Sequence, residues 1–153
     1  MKITLFLLRL ALGWVFLYAG LSKLMNASWS AAGYLGSATT FPELYQWFAS
    51  SQNIGWVNTL NAWGLTLVGA ALILGVALRF ASYGGILLMM LYYFPVLHFP
   101  YVGKTAYLVD EHIMYILVFV LLISAHAGRI WGLDHWLRGS RLTTNRWTRW
   151  MFS

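Results

Sequence analysis

The chain has 153 residues, of which 60% are hydrophobic and 9% charged, with a mean hydropathy of +0.66 and no cysteine. Soluble domains run at roughly 45–50% apolar and 25% charged, so the composition sets aside a water-soluble domain. The missing cysteines exclude a disulfide relay, a CxxC redox motif, a c-type haem attachment and a cysteine-ligated iron–sulfur cluster.

Four long apolar runs, about 3–24, 57–78, 82–97 and 113–130, each come close to the ~20 residues that cross a bilayer core as a helix. They predict an all-α integral membrane four-helix bundle, a single domain over 1–153 with a basic aromatic C-terminal tail at 131–153. Loops this short leave no room for a separate soluble catalytic domain. The first run exceeds a signal-peptide core and lacks an A-x-A-type cleavage site, so it reads as an uncleaved span. Along it Arg9, Gly13, Phe16, Gly20 and Lys23 recur at steps of four and three, a single helical face expected to point inward.

About thirty residues separate the first two runs, too many for a tight turn. Thr40-Phe41-Pro42-Glu43 matches a capping box. Behind it Phe41, Leu44, Tyr45 and Phe48 make an amphipathic helix expected to lie in the interface with Trp47 and to cover the bundle. The stretch 29–35, with Trp29 and Tyr34, reads as a second interfacial or re-entrant piece. In the second run Asn61, Gly64, Val68, Ala71 and Gly75 suggest a close-packing face of small residues. Pro95 predicts a kink or an early helix end near His98 in the third. In the tail, Trp136, Leu137, Trp147, Trp150, Met151 and Phe152 alternate with four arginines, a composition suited to anchoring at an anionic leaflet.

Lys2, Arg9, Arg79, Arg129, Arg138, Arg141, Arg146 and Arg149 fall on one side of these runs, against Lys23 and Lys104 on the other. Basic residues accumulate on the cytoplasmic side. The expectation is therefore a multi-pass protein of the cell (inner) membrane with both termini cytoplasmic. Its partners are then membrane lipid and other membrane subunits, and the net charge of +6 belongs to that anchoring rather than to nucleic acid.

Ionisable groups at membrane depth are functional candidates unless they snorkel. Arg9 either pairs with Asp134, the only acid on its side, or meets a substrate, and the ion pair is the plainer reading; Arg79 and Arg129 join them as structural ties. On the other side Lys23, His98, Tyr101, Asp110, Glu111 and His112 form the densest titratable set. Asp110 and Glu111 also suit a helix N-terminus. Otherwise they line a polar pocket at the bundle mouth, where Lys23 and His112 meet a small anion or a quinone headgroup. Thirteen residues separate His112 from His126, a spacing reminiscent of stacked b-type haems, but no facing helix carries a matching pair, and no cluster has zinc or di-iron spacing. Neither haem, flavin nor metal is expected.

Several phrases resemble the DoxX family of small four-helix membrane proteins, including the DoxD-type subunits of thiosulfate:quinone oxidoreductase. They are Leu8-Arg9-Leu10 leading to Gly13 and Ala19-Gly20-Leu21-Ser22-Lys23; Trp29 with Gly33-Tyr34-Leu35; Gly69 to Gly75 followed by Arg79; Val109-Asp110-Glu111-His112; and Gly128-Arg129-Ile130-Trp131-Gly132-Leu133-Asp134. The resemblance implies a membrane subunit of a quinone-linked oxidoreductase acting on a small reduced sulfur compound, with quinone as cofactor. In that reading Lys23, His98 and Tyr101 hold substrate, His112 moves protons, and Asp110 or Glu111 orients it. The alternative is a non-catalytic scaffolding subunit packed against a larger respiratory complex.

Overall fold

A computed structural model describes residues 1–104 and 106–134; the expected anchor of tryptophans and arginines beyond them lies outside the described residues. Six helices hold most of the chain: α1 (Lys2–Leu24), α2 (Ala32–Gly36), α3 (Pro42–Ala49), α4 (Ile54–Leu74), α5 (Leu78–Val96) and α6 (Glu111–Ser124). Two of them, α1 and α4, are long and apolar enough to cross a membrane. Between α5 and α6 a three-stranded antiparallel strap, β1 (Leu97–His98), β2 (Tyr101–Val102) and β3 (Ala106–Tyr107), occupies a segment in which the sequence pattern shows no strand.

The long helices α1, α4, α5 and α6 share one core, in which Leu12, Phe16, Leu65, Leu72, Met89 and Phe119 interlock. Phe16 reaches across to α6, edge-on to Phe119 at 5.2 Å and to Tyr115 at 6.0 Å. Outside that core the surface is equally apolar: Leu7, Trp14, Leu67, Leu87 and Leu117 are all more than half exposed. Such a surface is costly in water and ordinary in lipid.

On α1 the expected face is buried at Arg9, Gly13, Phe16 and Gly20. On α4 the buried set is wider than the expected face: Val68 from that face is buried, and so are Ala62, Leu65, Thr66, Gly69 and Leu72, because α4 is covered on two sides. A β-carbon at Gly69 would strike the Leu17 backbone and sit 2.8 Å from the Gly13 carbonyl, and one at Gly20 would strike Thr66. Those contacts make the α1–α4 seam, whereas Asn61, Gly64 and Val68 lean on α5.

The ends of α5 depart from simple capping. The turn into α5 is Gly75-Val76-Ala77, closed by Gly75 at φ +65° with a Val76 amide to Ala71 carbonyl bond of 3.0 Å, and it has no polar side chain. Asp134 supplies the cap from 56 residues away, accepting from the amides of Ala77 (2.7 Å) and Leu78 (3.2 Å). At the other end Pro95 does stop the helix within two residues. Having no N–H, it leaves the Leu91 carbonyl without its helical donor. The Tyr45 hydroxyl donates to that carbonyl at 3.2 Å.

Two expectations are corrected here. No capping box forms at α3: its first residue follows Phe41 in the left-handed region (φ 55°), and the Thr40 hydroxyl donates instead to the Leu97 carbonyl at 2.7 Å, where α5 has run out of amides. The last apolar run is not helical to residue 130. It leaves the α-helix at Ser124, turns through His126 (φ 49°), and continues as a 3-10 turn at Ala127–Arg129. The carbonyls of Ala127, Ile130 and Trp131 are thereby aimed at Arg9.

Gly69→Val should overpack the α1–α4 seam and lower stability in detergent by about 1–3 kcal/mol, whereas Gly64→Ala, whose β-carbon would lie 3.4 Å from Leu88, should be near neutral; a denaturant titration of both variants checks the contrast. Tyr45→Phe should cost about 1 kcal/mol by stranding the Leu91 carbonyl. In a Pro95→Ala background, where residue 95 regains its amide, most of that cost should vanish in a double-mutant cycle.

Candidate functional site

Titratable side chains gather at the two ends of the bundle, and the ends are built differently. At the end holding the chain's first residues, Arg9 is fully buried and Asp134 is 2% exposed. Arg9 Nη1 donates to the carbonyls of Ala127 (2.7 Å) and Ile130 (3.0 Å), and Nη2 to Trp131 (3.4 Å). Asp134 spends its oxygens on the α5 amides, so the expected direct pair is not formed; the two attract through space while each is bonded to backbone. Burial pushes the Asp134 carboxyl above the usual carboxylate range, opposed by those amides and by the Arg9 and Arg129 charges. Arg79 Nη2 lies 3.3 Å from His126 Nε2, and Arg129 is also engaged. Beside this corner lies a cavity of about 700 Å³ lined by Phe6, Leu74, Arg129, Trp131 and Leu133.

At the opposite end stand Lys23, Asp110, Glu111 and His112. Asp110 is the N-cap of α6, accepting from the amides of His112 (3.0 Å) and Ile113 (3.2 Å). Its second oxygen meets His112 Nδ1 at 2.5 Å. A carboxylate only accepts, so Nδ1 carries a proton and the bond fixes the orientation of the ring. Tyr92 stacks on the imidazole, with centroids 5.9 Å apart and planes 14° from parallel, and its hydroxyl donates to Asn61 Oδ1 at 2.8 Å. Lys23 donates to the Ala19 carbonyl at 3.3 Å and sits 5.2 Å from the Trp29 ring.

Three cavities meet around Tyr92. One of about 290 Å³ lies between α1, α4, α5 and α6 and brings together Lys23, Glu111, His112 and Tyr115. A wider one, about 510 Å³, is walled by the strap and by Tyr34, Lys104, Asp110, Glu111 and His112. The third, about 210 Å³ and almost wholly apolar, lies beneath α2 and α3. Tyr34 separates the second from the third, its hydroxyl donating to the Tyr92 carbonyl at 2.5 Å. Burial, and then the neighbouring Tyr92, Asp110, Tyr45 and Glu111, push the Tyr34 hydroxyl up, so it stays a donor.

Of the residues expected to act here, Lys23, Asp110, Glu111 and His112 are brought to these cavities. His98 and Tyr101 are not. They face each other across β1 and β2, exposed, with Tyr101 edge-on to Tyr107 at 5.7 Å, because alternate strand residues point opposite ways and it is Val102 that turns inward. Tyr34, Tyr92 and Lys104 join them at these cavities without being expected there. Pro95 is the available signal for Tyr34, since a helix ending on proline needs hydroxyl donors for its last carbonyls; the Tyr92 hydroxyl goes to Asn61 instead. Among the described residues no group of three or more His, Asp or Glu is placed to hold a metal.

Comparison with known families matches residues 4–98 to DoxX. The chain belongs to the DoxX family. The match spans α1 to α5 and takes in Arg9 and Lys23, while Asp110, Glu111 and His112 lie beyond it. Neither the curated proteins nor the solved structures give a match. With its apolar helices, this DoxX member is a membrane protein.

Asp110→Ala should cost about 0.5–2 kcal/mol through loss of the α6 cap, whereas Asp110→Asn should retain most of that stability, since asparagine caps equally well. Unfolding of the two variants in detergent distinguishes capping from any other role of the carboxylate.

Proposed function

We propose that this DoxX-family protein is the membrane subunit of a quinone-linked oxidoreductase that oxidises a small reduced sulfur compound. What supports the reading is the convergence of Lys23, Glu111, His112 and Tyr115 on one cavity at one end of the bundle, with a carboxylate holding the imidazole in place. In this reading the bundle crosses the membrane four times. The basic residues Lys2, Arg9, Arg79 and Arg129 keep the Arg9 end in the cytoplasm, and the His112 end faces outward. Lys23 attracts the anionic donor. A quinone ring lies against Tyr92 and His112, and on reduction takes up two electrons and two protons, one of the protons passing through His112 Nε2. Asp110 orients His112, and Glu111 sets the charge of the pocket. The chain has no cysteine to carry sulfur or electrons, so a second subunit delivers the electrons.

The test is thiosulfate-dependent reduction of a short-chain quinone by membranes carrying the assembled complex. His112→Ala should lower the rate by about a hundredfold, in the range for losing a general acid–base group. Lys23→Ala should act mainly on the apparent affinity for the anionic donor. Both variants should keep wild-type unfolding midpoints. Normal rates in both would remove the catalytic reading and leave the non-catalytic scaffolding subunit in its place.

A further inference from the structure

The cavity beneath α2 and α3 differs in chemistry from the two that His112 lines. Ala31 and Phe48 wall it on the covering side, Val57 and Leu60 on α4, and Leu88 and Leu91 on α5. Apart from the Asn61 amide nitrogen, the side-chain polar atoms around it are committed elsewhere. Tyr34 and Tyr45 donate to α5 carbonyls, Tyr92 to Asn61, and the Trp56 indole to Asn53 Oδ1 at 3.2 Å. With such walls there is little to hold water, and apolar cavities of only about 150 Å³ stay dry and take up small hydrocarbons. This one is about 210 Å³.

Its position is as informative as its lining. Tyr34 and Tyr92 wall both this cavity and the polar one that holds Asp110, Glu111 and His112. An apolar compartment and a polar compartment thus share a partition of two aromatic rings. Leu60, 62% exposed, stands at the outer rim on a helix apolar enough to lie in lipid, so a chain can enter from the side.

We propose that this cavity binds the apolar tail, isoprenoid or acyl, of an amphipathic molecule whose polar head occupies the His112 pocket. For an isoprenoid quinone the inference rests on the function proposed above; for an acyl chain it does not. A tail gains no hydrophobic energy by leaving lipid for protein. What favours it is contact with walls that otherwise face a void. The tail contribution therefore saturates once the cavity is full.

Binding to the purified full chain in mild detergent, followed by native mass spectrometry, tests this with three probes: decylubiquinone, the same ring without its decyl tail, and cis-parinaric acid. The tailed quinone should bind about tenfold more tightly than the tail-less ring. Val57→Phe and Leu60→Phe, which narrow the cavity from two positions, should each bring that ratio towards one. A ratio of one in the wild type, or one that neither variant changes, overturns the tail site, even if the complex reduces quinone normally. Parinaric acid bound in the wild type and lost in both variants, with neither quinone bound, upholds the tail site as an acyl site and counts against the quinone reading instead.

Discussion

A backbone amide or carbonyl released where a helix ends has no water to turn to when its surroundings are apolar, and it must find a partner within the protein. Much of what is particular to this fold answers that demand. The first amides of α5 go to Asp134, and three carbonyls beyond α6 go to Arg9. Those of Leu91, Tyr92 and Leu97, where Pro95 stops α5, go to Tyr45, Tyr34, Thr39 and Thr40. Each of these donors or acceptors is a side chain distant in sequence. The needs of helix ends therefore decide how the segments between the long helices dock.

The same demand separates the two ends of the bundle. At the Arg9 end, charged groups are spent on backbone and on one another, and the glycines at 75, 128 and 132 leave space only for that arrangement. At the His112 end the backbone is served mostly by hydroxyls and by one carboxylate oxygen. Lys23, Glu111 and the His112 ring line one cavity there.

Local signals in the chain were readable. The four-and-three spacing of Arg9, Gly13, Phe16 and Gly20 anticipates the buried face of α1, Pro95 anticipates the end of α5, and Asp110 anticipates the start of α6. What escaped depends on partners far apart in sequence. The α4 spacing marks only part of the buried surface because two neighbours share that helix, and Thr40 has the pattern of a local cap although the Leu97 carbonyl, 57 residues on, claims its hydroxyl. The residue types of the site were legible at Lys23 and at 110–112. Its aromatic partition was not, because Tyr34 and Tyr92 meet only once the cover has docked.

The helices are unequal in length, and in a bilayer that inequality becomes a mechanical matter. At 1.5 Å per residue α1 is about 34 Å long and the 14-residue α6 about 21 Å, against a hydrocarbon core of about 30 Å. By length α1 matches such a core and α6 falls about 9 Å short of it, so the two helices cannot sit in lipid in the same way.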